Sequence, residues 1–191
     1  MELGSTPELA FLSSRLLKRM PFETERLIVR PWSVSEAARC FEIYSDPRVT
    51  EFLGGGPSLS LEEQAERIRG INLRYADRPE FGLCAIVEKK SQHIVGSSLL
   101  KLLPESSLFE VGWHLAPEFW GNGYATESGR GAIDFAFHEM QLPAVYAVVN
   151  PKNTRSLRVC DRLGMTGLGI TTAFYGQSLE LFTLADNPLP G

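Results

Sequence analysis

Cysteine is scarce in this chain: Cys40, Cys84 and Cys160 are the three in 191 residues, widely spaced and in no CxxC pair. That spacing excludes a disulfide framework and a cysteine-based zinc ribbon, and it fits reduced thiols in a cytoplasmic protein. Histidine is equally scarce. His93, His114 and His138 stand apart, without carboxylate or thiol neighbours at ligand spacing, so no metal site is expected. No apolar run approaches the ~20 residues that cross a bilayer. The N-terminus has no uninterrupted apolar core of the secretory kind, and Glu2 and Glu8 suit a transit peptide badly. Positive charge is not in excess either: 19 Lys and Arg against 23 Asp and Glu leave a net charge of -4. Membrane and nucleic-acid partners are therefore not expected. A small anionic ligand remains allowed, because a few aimed N–H groups outweigh a mild global charge.

What is present is ordinary globular material, 43% hydrophobic and 22% charged, at a length that suits one domain. Residues 1–21 read as an extension. Leu9, Leu12, Leu16, Leu17 and Met20 fall on one helical face, with Arg15, Lys18 and Arg19 off it. Such a helix would dock on its own domain or cover a subunit contact, and both monomer and homodimer remain open. Residues 22–187 form the domain proper.

Within it, "ERLIVRPW" predicts a strand, and Ser33 with Glu36 forms a capping box before an amphipathic helix on Val34, Ala37, Ala38 and Phe41. "FLGGGPS" breaks the chain into a loop, and Ser60 with Glu63 opens a second helix to about Tyr75. Three consecutive antiparallel strands follow, "EFGLCAIVEKK", "IVGSSLLKLL" and "LFEVGWHL". A helix over Thr126–Met140 comes next. Its Gly129 and Gly131 would each cost about 1 kcal/mol relative to Ala, which suggests close packing against that helix. "AVYAVVN" is a buried strand. A helix capped by Asn153 and stopped at Gly164 leads to two last strands around Tyr175 and Gly176. The class is α/β, with a mixed, mostly antiparallel central sheet flanked by helices.

The stretch with the most chemistry is "FWGNGYATES". A strand and a Pro-containing turn run into Gly121 and Gly123 directly before a helix, aiming its first N–H groups and positive dipole end at one point. A diphosphate is the expected guest. No GK[ST] follows, so it is not a Walker loop, and the mostly antiparallel strands before it speak against a classical nucleotide fold.

Read with "VNPKNTRSLRVCDRLGM", at the right order and separation, "FEVGWHLAPEFWGNGYATE" resembles the GNAT superfamily of N-acetyltransferases. The resemblance runs from Glu23 to Asp186, and it is strongest to the branch of RimJ and RimL ribosomal-protein acetyltransferases. Trp120, Gly123 and Ala125 fall where the family's phosphate signature lies, with Trp120 replacing the usual Gln or Arg. The resemblance implies acetyl-coenzyme A as cosubstrate, its pyrophosphate on backbone amides of Gly121, Asn122, Gly123, Tyr124, Ala125 and Thr126. It implies a splay between the fourth and fifth strands, Phe109–Leu115 and Ala144–Asn150. The pantetheine arm would lie there on backbone groups of Trp113, His114 and Leu115, near Asn150. Asn153 matches the asparagine that bonds the arm, and Ser156 lies near the thioester sulfur.

Acetyl transfer needs a neutral amine, donors for the developing oxyanion and a proton for the leaving thiolate. The family's route is direct attack in a ternary complex. Glu110 is the candidate base, on a face with Gly112 and His114, with apolar neighbours that would raise its pKa. It could equally orient the amine or pair with a nearby Arg. Ser156 could protonate the thiolate or only bond the sulfur, and Tyr175 and Tyr124 are alternative donors. His114 either lines the acceptor pocket or is a satisfied structural residue, and Glu127 serves the helix dipole. The acceptor would enter beside Glu51–Ser58 and Phe174–Gln177. It would be a protein N-terminus, as in the ribosomal-protein branch, or a small amine. A catalytically silent acyl-coenzyme A-binding module remains the alternative.

Overall fold

β-branched and apolar residues build the strands, and their two faces bury against different helix pairs. A computed structural model of the chain describes residues 22–54, 56–58, 60–78 and 81–186; the expected N-terminal helix over 1–21 lies outside them. One eight-stranded sheet runs in the order β1-β2-β3-β4-β5-β6-β8-β7. β1 (Phe22–Glu23), β2 (Leu27–Pro31), β3 (Gly82–Glu88), β4 (Ile94–Leu102) and β5 (Phe109–Leu115) pair antiparallel in succession. β6 (Ala144–Val149) is parallel to β5, and β8 (Leu179–Ala185) lies antiparallel between β6 and the edge strand β7 (Thr166–Thr171). The fold class is as the sequence predicts. β5 and β6 register at a single pair, Glu110 opposite Tyr146, and beyond it they part. That is the expected splay, although the extra strand β1 makes it fall between the fifth and sixth strands.

On one face of the sheet, Val29, Ile86, Val111 and Val145 pack with Ala132 and Ile133 of α4 (Tyr124–His138) and with Val159, Cys160 and Leu163 of α5 (Thr154–Leu163). On the other, Trp32 and Ala85 pack with Ala37, Cys40, Ile43 and Tyr44 near α1 (Ala37–Ser45) and Ile68 of α3 (Leu61–Arg74). Ser33 and Glu36 make the capping box, which here opens a 3-10 turn over Val34–Glu36 leading into α1. Ser60 accepts from the Glu63 N–H at 3.1 Å to start α3. A short helix α2 (Pro47–Thr50) was not foreseen; Asp46 caps it and Pro47 fits its first turn. α4 begins at Tyr124, two residues before the expected start. Among the described residues no helix is long and apolar enough to cross a membrane.

The helical glycines have the close neighbours their cost suggested. A Cβ at Gly131 would sit 2.4 Å from the Phe22 ring, and one at Gly129 would sit 2.9 Å from Leu163 Cδ1. Gly131→Ala is expected to lower stability by about 1–3 kcal/mol through overpacking, despite the better helix propensity of Ala. A denaturant midpoint at or above wild type would refute this.

Candidate active site

The Gly-rich stretch is shaped by its own local bonds. Pro117–Phe119 forms a 3-10 turn, and Trp120 Nε1 donates to the Leu115 carbonyl at 2.8 Å, folding the chain back under β5. Gly121 and Gly123 then take left-handed φ of 82° and 80°, which L side chains rarely adopt. Gly123 is the N-cap of α4, and no side chain caps the helix. Its first N–H groups are left for a ligand, and Tyr124, Ala125 and Thr126 line the space in front of them. A Cβ at Gly121 would meet nothing within 4 Å, so a ligand can approach its backbone closely. This open cradle fits a diphosphate.

The cradle is the end of a groove of about 1590 Å³. Trp113, His114 and Leu115 form one wall, and Val149, Asn150, Asn153 and Ser156 the other. The groove thus follows the splay between β5 and β6. Of the residues predicted to bind the cofactor, Asn122 alone does not line it; the candidate base Glu110 and the alternative donor Tyr175 do not line it either. Asn122 braces the loop instead: its side-chain amide donates to the Phe119 carbonyl at 3.2 Å, and its carbonyl accepts from Arg26 at 3.0 Å. Asn153 Oδ1 accepts from the Ser156 N–H at 3.2 Å, so Asn153 caps α5 as predicted. The Ser156 hydroxyl makes no protein hydrogen bond among the described residues.

Glu110 lies behind the groove, 8% exposed. Its carboxylate accepts from the Tyr175 hydroxyl and has Lys101 Nζ at 3.8 Å. Burial raises its pKa above the ordinary glutamate value, against the pull of Lys101 and Tyr175. Tyr175, in the turn between β7 and β8, is 40% exposed and joins this buried carboxylate to the open side. The other candidate tyrosine is engaged elsewhere, since the Tyr124 hydroxyl bonds Glu88. His114 Nδ1 lies 2.9 Å from the Tyr44 hydroxyl, and burial pushes its pKa down to about 4. The thiols of Cys40 and Cys160 are buried and pushed up to about 12.

The far end of the groove is lined by Arg48, Val49, Phe52 and Leu53. The loop they lead into meets the β7–β8 turn, where a Cβ at Gly54 would sit 2.1 Å from Gln177 Nε2. The two segments expected to flank the acceptor are therefore in contact, with Gly55 outside the described residues.

Sequence reasoning missed the arginines. Arg155, Arg158 and Arg162 line the groove from α5, and Arg155 stacks 3.9 Å over the Trp120 ring. Their i, i+3, i+7 spacing was a legible signal for one basic face. Arg26 was not legible. It reaches from the β1–β2 turn to pair with Glu127 at 2.6 Å, and Glu127 also accepts from Thr24 and the Arg26 N–H. Burial pushes the Glu127 carboxyl up, but these donors together hold it below the ordinary value. Glu127 thus ties the β1–β2 turn to the start of α4.

The acetyltransferase (GNAT) domain family matches residues 26–166. An uncharacterized N-acetyltransferase, p20, of Bacillus licheniformis is 26% identical over 148 residues, 77% of this chain and 83% of its own. The crystal structure of an acetyltransferase from Agrobacterium tumefaciens superposes with a TM-score of 0.73 at 23% identity, covering 86% of this chain and 94% of that one. The RimL ribosomal L7/L12 alpha-N-protein acetyltransferase, solved in complex with coenzyme A, gives 0.69 at 14% identity, covering 87% and 98%. The fold, the cradle and the family match agree, and the chain belongs to the acetyltransferase (GNAT) domain family, as an acetyl-coenzyme A-dependent acyltransferase.

Proposed function

We propose that the chain transfers the acetyl group of acetyl-coenzyme A to a primary amine by direct attack within a ternary complex. The observation that carries this is the continuous groove from the uncapped N-terminus of α4, along the splay, to the loop after α2. Backbone N–H groups from Gly121 to Thr126 hold the pyrophosphate, with Arg155 and Arg158 close by. Asn150 and Asn153 face the pantetheine arm, whose thioester supplies the electrophilic carbonyl. Glu110 accepts the amine proton, with Tyr175 as the link to the acceptor side, and Ser156, which lines the groove, protonates the leaving thiolate. The cysteines take no part. Cys40 and Cys160 are thiols at neutral pH, and a thiol is a poor nucleophile beside its thiolate.

For the acceptor we favour a protein N-terminus over a small amine, in the manner of the RimJ/RimL branch. Supporting this are the fold shared with the L7/L12 acetyltransferase and an acceptor end bounded by two surface segments. A cytoplasmic setting suits such a substrate.

The test is thermal stability with acetyl-coenzyme A, coenzyme A, ATP and NAD, each in excess. Ligand at 100 times its Kd adds about 2.7 kcal/mol. A rise with the two coenzyme A forms alone is expected, followed by thiol release when peptide amines are added. No rise with either refutes the reading. A rise without turnover of any amine would favour a silent acyl-coenzyme A-binding module.

A further inference from the structure

Behind the groove wall lie two buried hydrogen bonds that the proposed chemistry does not use. Trp32 Nε1–H donates to Ser97 Oγ at 3.2 Å. The Tyr44 hydroxyl lies 2.9 Å from His114 Nδ1, its one hydrogen-bond partner among the described residues. Trp32, Ser97 and Tyr44 are at most 2% exposed, so no bulk water reaches these bonds. His114 is partly open and lines the groove.

The direction of the second bond follows from burial. The Tyr44 hydroxyl carries a proton that needs an acceptor, and His114 Nδ1 is its one hydrogen-bond partner among the described residues, so Tyr44 donates and Nδ1 accepts. The opposite direction would leave the Tyr44 proton without an acceptor among the described contacts, inside a buried site where that is costly. The Tyr44 phenol keeps its proton, because burial raises its pKa.

We infer that His114 is held as the neutral Nε2–H tautomer and offers that N–H as a fixed donor to the carbonyl oxygen of the bound acyl thioester. Nδ1 is occupied as an acceptor, so Nε2 is the nitrogen left for the groove. The Tyr44 hydroxyl meets the ring from α1, and the charges of Arg67 on α3 and Lys101 on β4 act on it from further off. Burial first, then the two cations, keeps the imidazole neutral. His114 is therefore not a base. It belongs to the β5 wall that would carry the pantetheine arm, where a polarising donor acts on the reacting carbonyl. The tautomer is a property of this chain alone; the contact with the thioester rests on the function proposed above.

Nitrogen NMR of protein labelled at histidine tests both parts. With three histidines in the chain, His114→Gln assigns the signals by deletion. The expected spectrum at neutral pH has His114 Nε2 protonated and Nδ1 unprotonated, without averaging, and Tyr44→Phe turns it into a mixture. An Nδ1–H tautomer or an averaged ring in the wild type overturns the inference, as does a Tyr44→Phe spectrum identical to wild type. Acetyl-coenzyme A should then shift the Nε2 signal, and coenzyme A should not. Amide signals of Gly121 and Gly123 report cofactor binding separately. If they move with both ligands while Nε2 responds to both alike or to neither, the thioester contact is refuted although the cofactor site stands. If they move with neither, the functional reading fails, and the contact with it.

Discussion

Glu110→Gln lowers turnover by roughly 10²–10⁴-fold and leaves the affinity for acetyl-coenzyme A within experimental error. The amide keeps the size of the carboxylate and still accepts from Tyr175, so the change removes the proton acceptor and little else. The wild-type rate should rise with pH through the raised pKa of Glu110, and that limb should vanish in the variant. The same substitution should also make the protein more stable at neutral pH. The folded-state pKa of Glu110 lies above its unfolded value near 4.5, so its favourable contribution is complete below 4.5 and lost as pH rises through the folded value. Glutamine never ionises and escapes that loss. The gap in melting temperature should therefore open above pH 4.5 and level off past the folded pKa. Lys101 gains little from Glu110 at 3.8 Å and is itself partly exposed, so its orphaning offsets the gain only slightly. Undiminished turnover with the pH limb intact would remove Glu110 from the base role.

Gly123→Asp weakens coenzyme A binding by roughly 30–100-fold, about 2–3 kcal/mol, while the protein stays folded. The new carboxylate stands at the helix N-cap, where it caps the N–H groups that the pyrophosphate needs and repels its charge. Asp tolerates a left-handed backbone better than most residues, and the strain is roughly 1–2 kcal/mol at worst. A Cβ here would lie 3.4 Å from Arg26 Nη2, so the carboxylate also draws off a nearby cation. Titration calorimetry at fixed salt, with a parallel unfolding curve, reads both quantities. Wild-type affinity would mean that the α4 N-terminus does not hold the diphosphate.

What the sequence made legible is local. Ser33, Ser60 and Asn153 announced their helices because a cap and its partner lie within three residues. Gly121 and Gly123 announced an open, uncapped helix start because turn, dipole and small residues are contiguous. The strand alternation of β5 put Glu110 and His114 on one face and Trp113 on the other, and the packing agrees. What was hidden depends on distance along the chain. Tyr175 meets Glu110 across 65 residues, Tyr44 meets His114 across 70, and Arg26 meets Glu127 across 101. Each pair is set by which strands become neighbours, and no short-range pattern carries that. For Glu110 the consequence was concrete: its strand and face were foreseen, whereas its place behind the groove wall depends on a hairpin that folds over it.

The single registered pair between β5 and β6 bears on how this chain can change over evolutionary time. Past Glu110 and Tyr146, each strand faces the slot with main-chain donors and acceptors that every residue type supplies. A slot defined by backbone spacing imposes few demands on side-chain identity, provided the strands still diverge at the same point. Substitutions can then accumulate along both walls without altering what the slot holds. That permits a TM-score of 0.69 to coexist with 14% identity. On the function proposed above, it also leaves the side chains at the other end of the groove, such as Val49, Phe52 and Leu53, as the place where selection would act to change the acceptor.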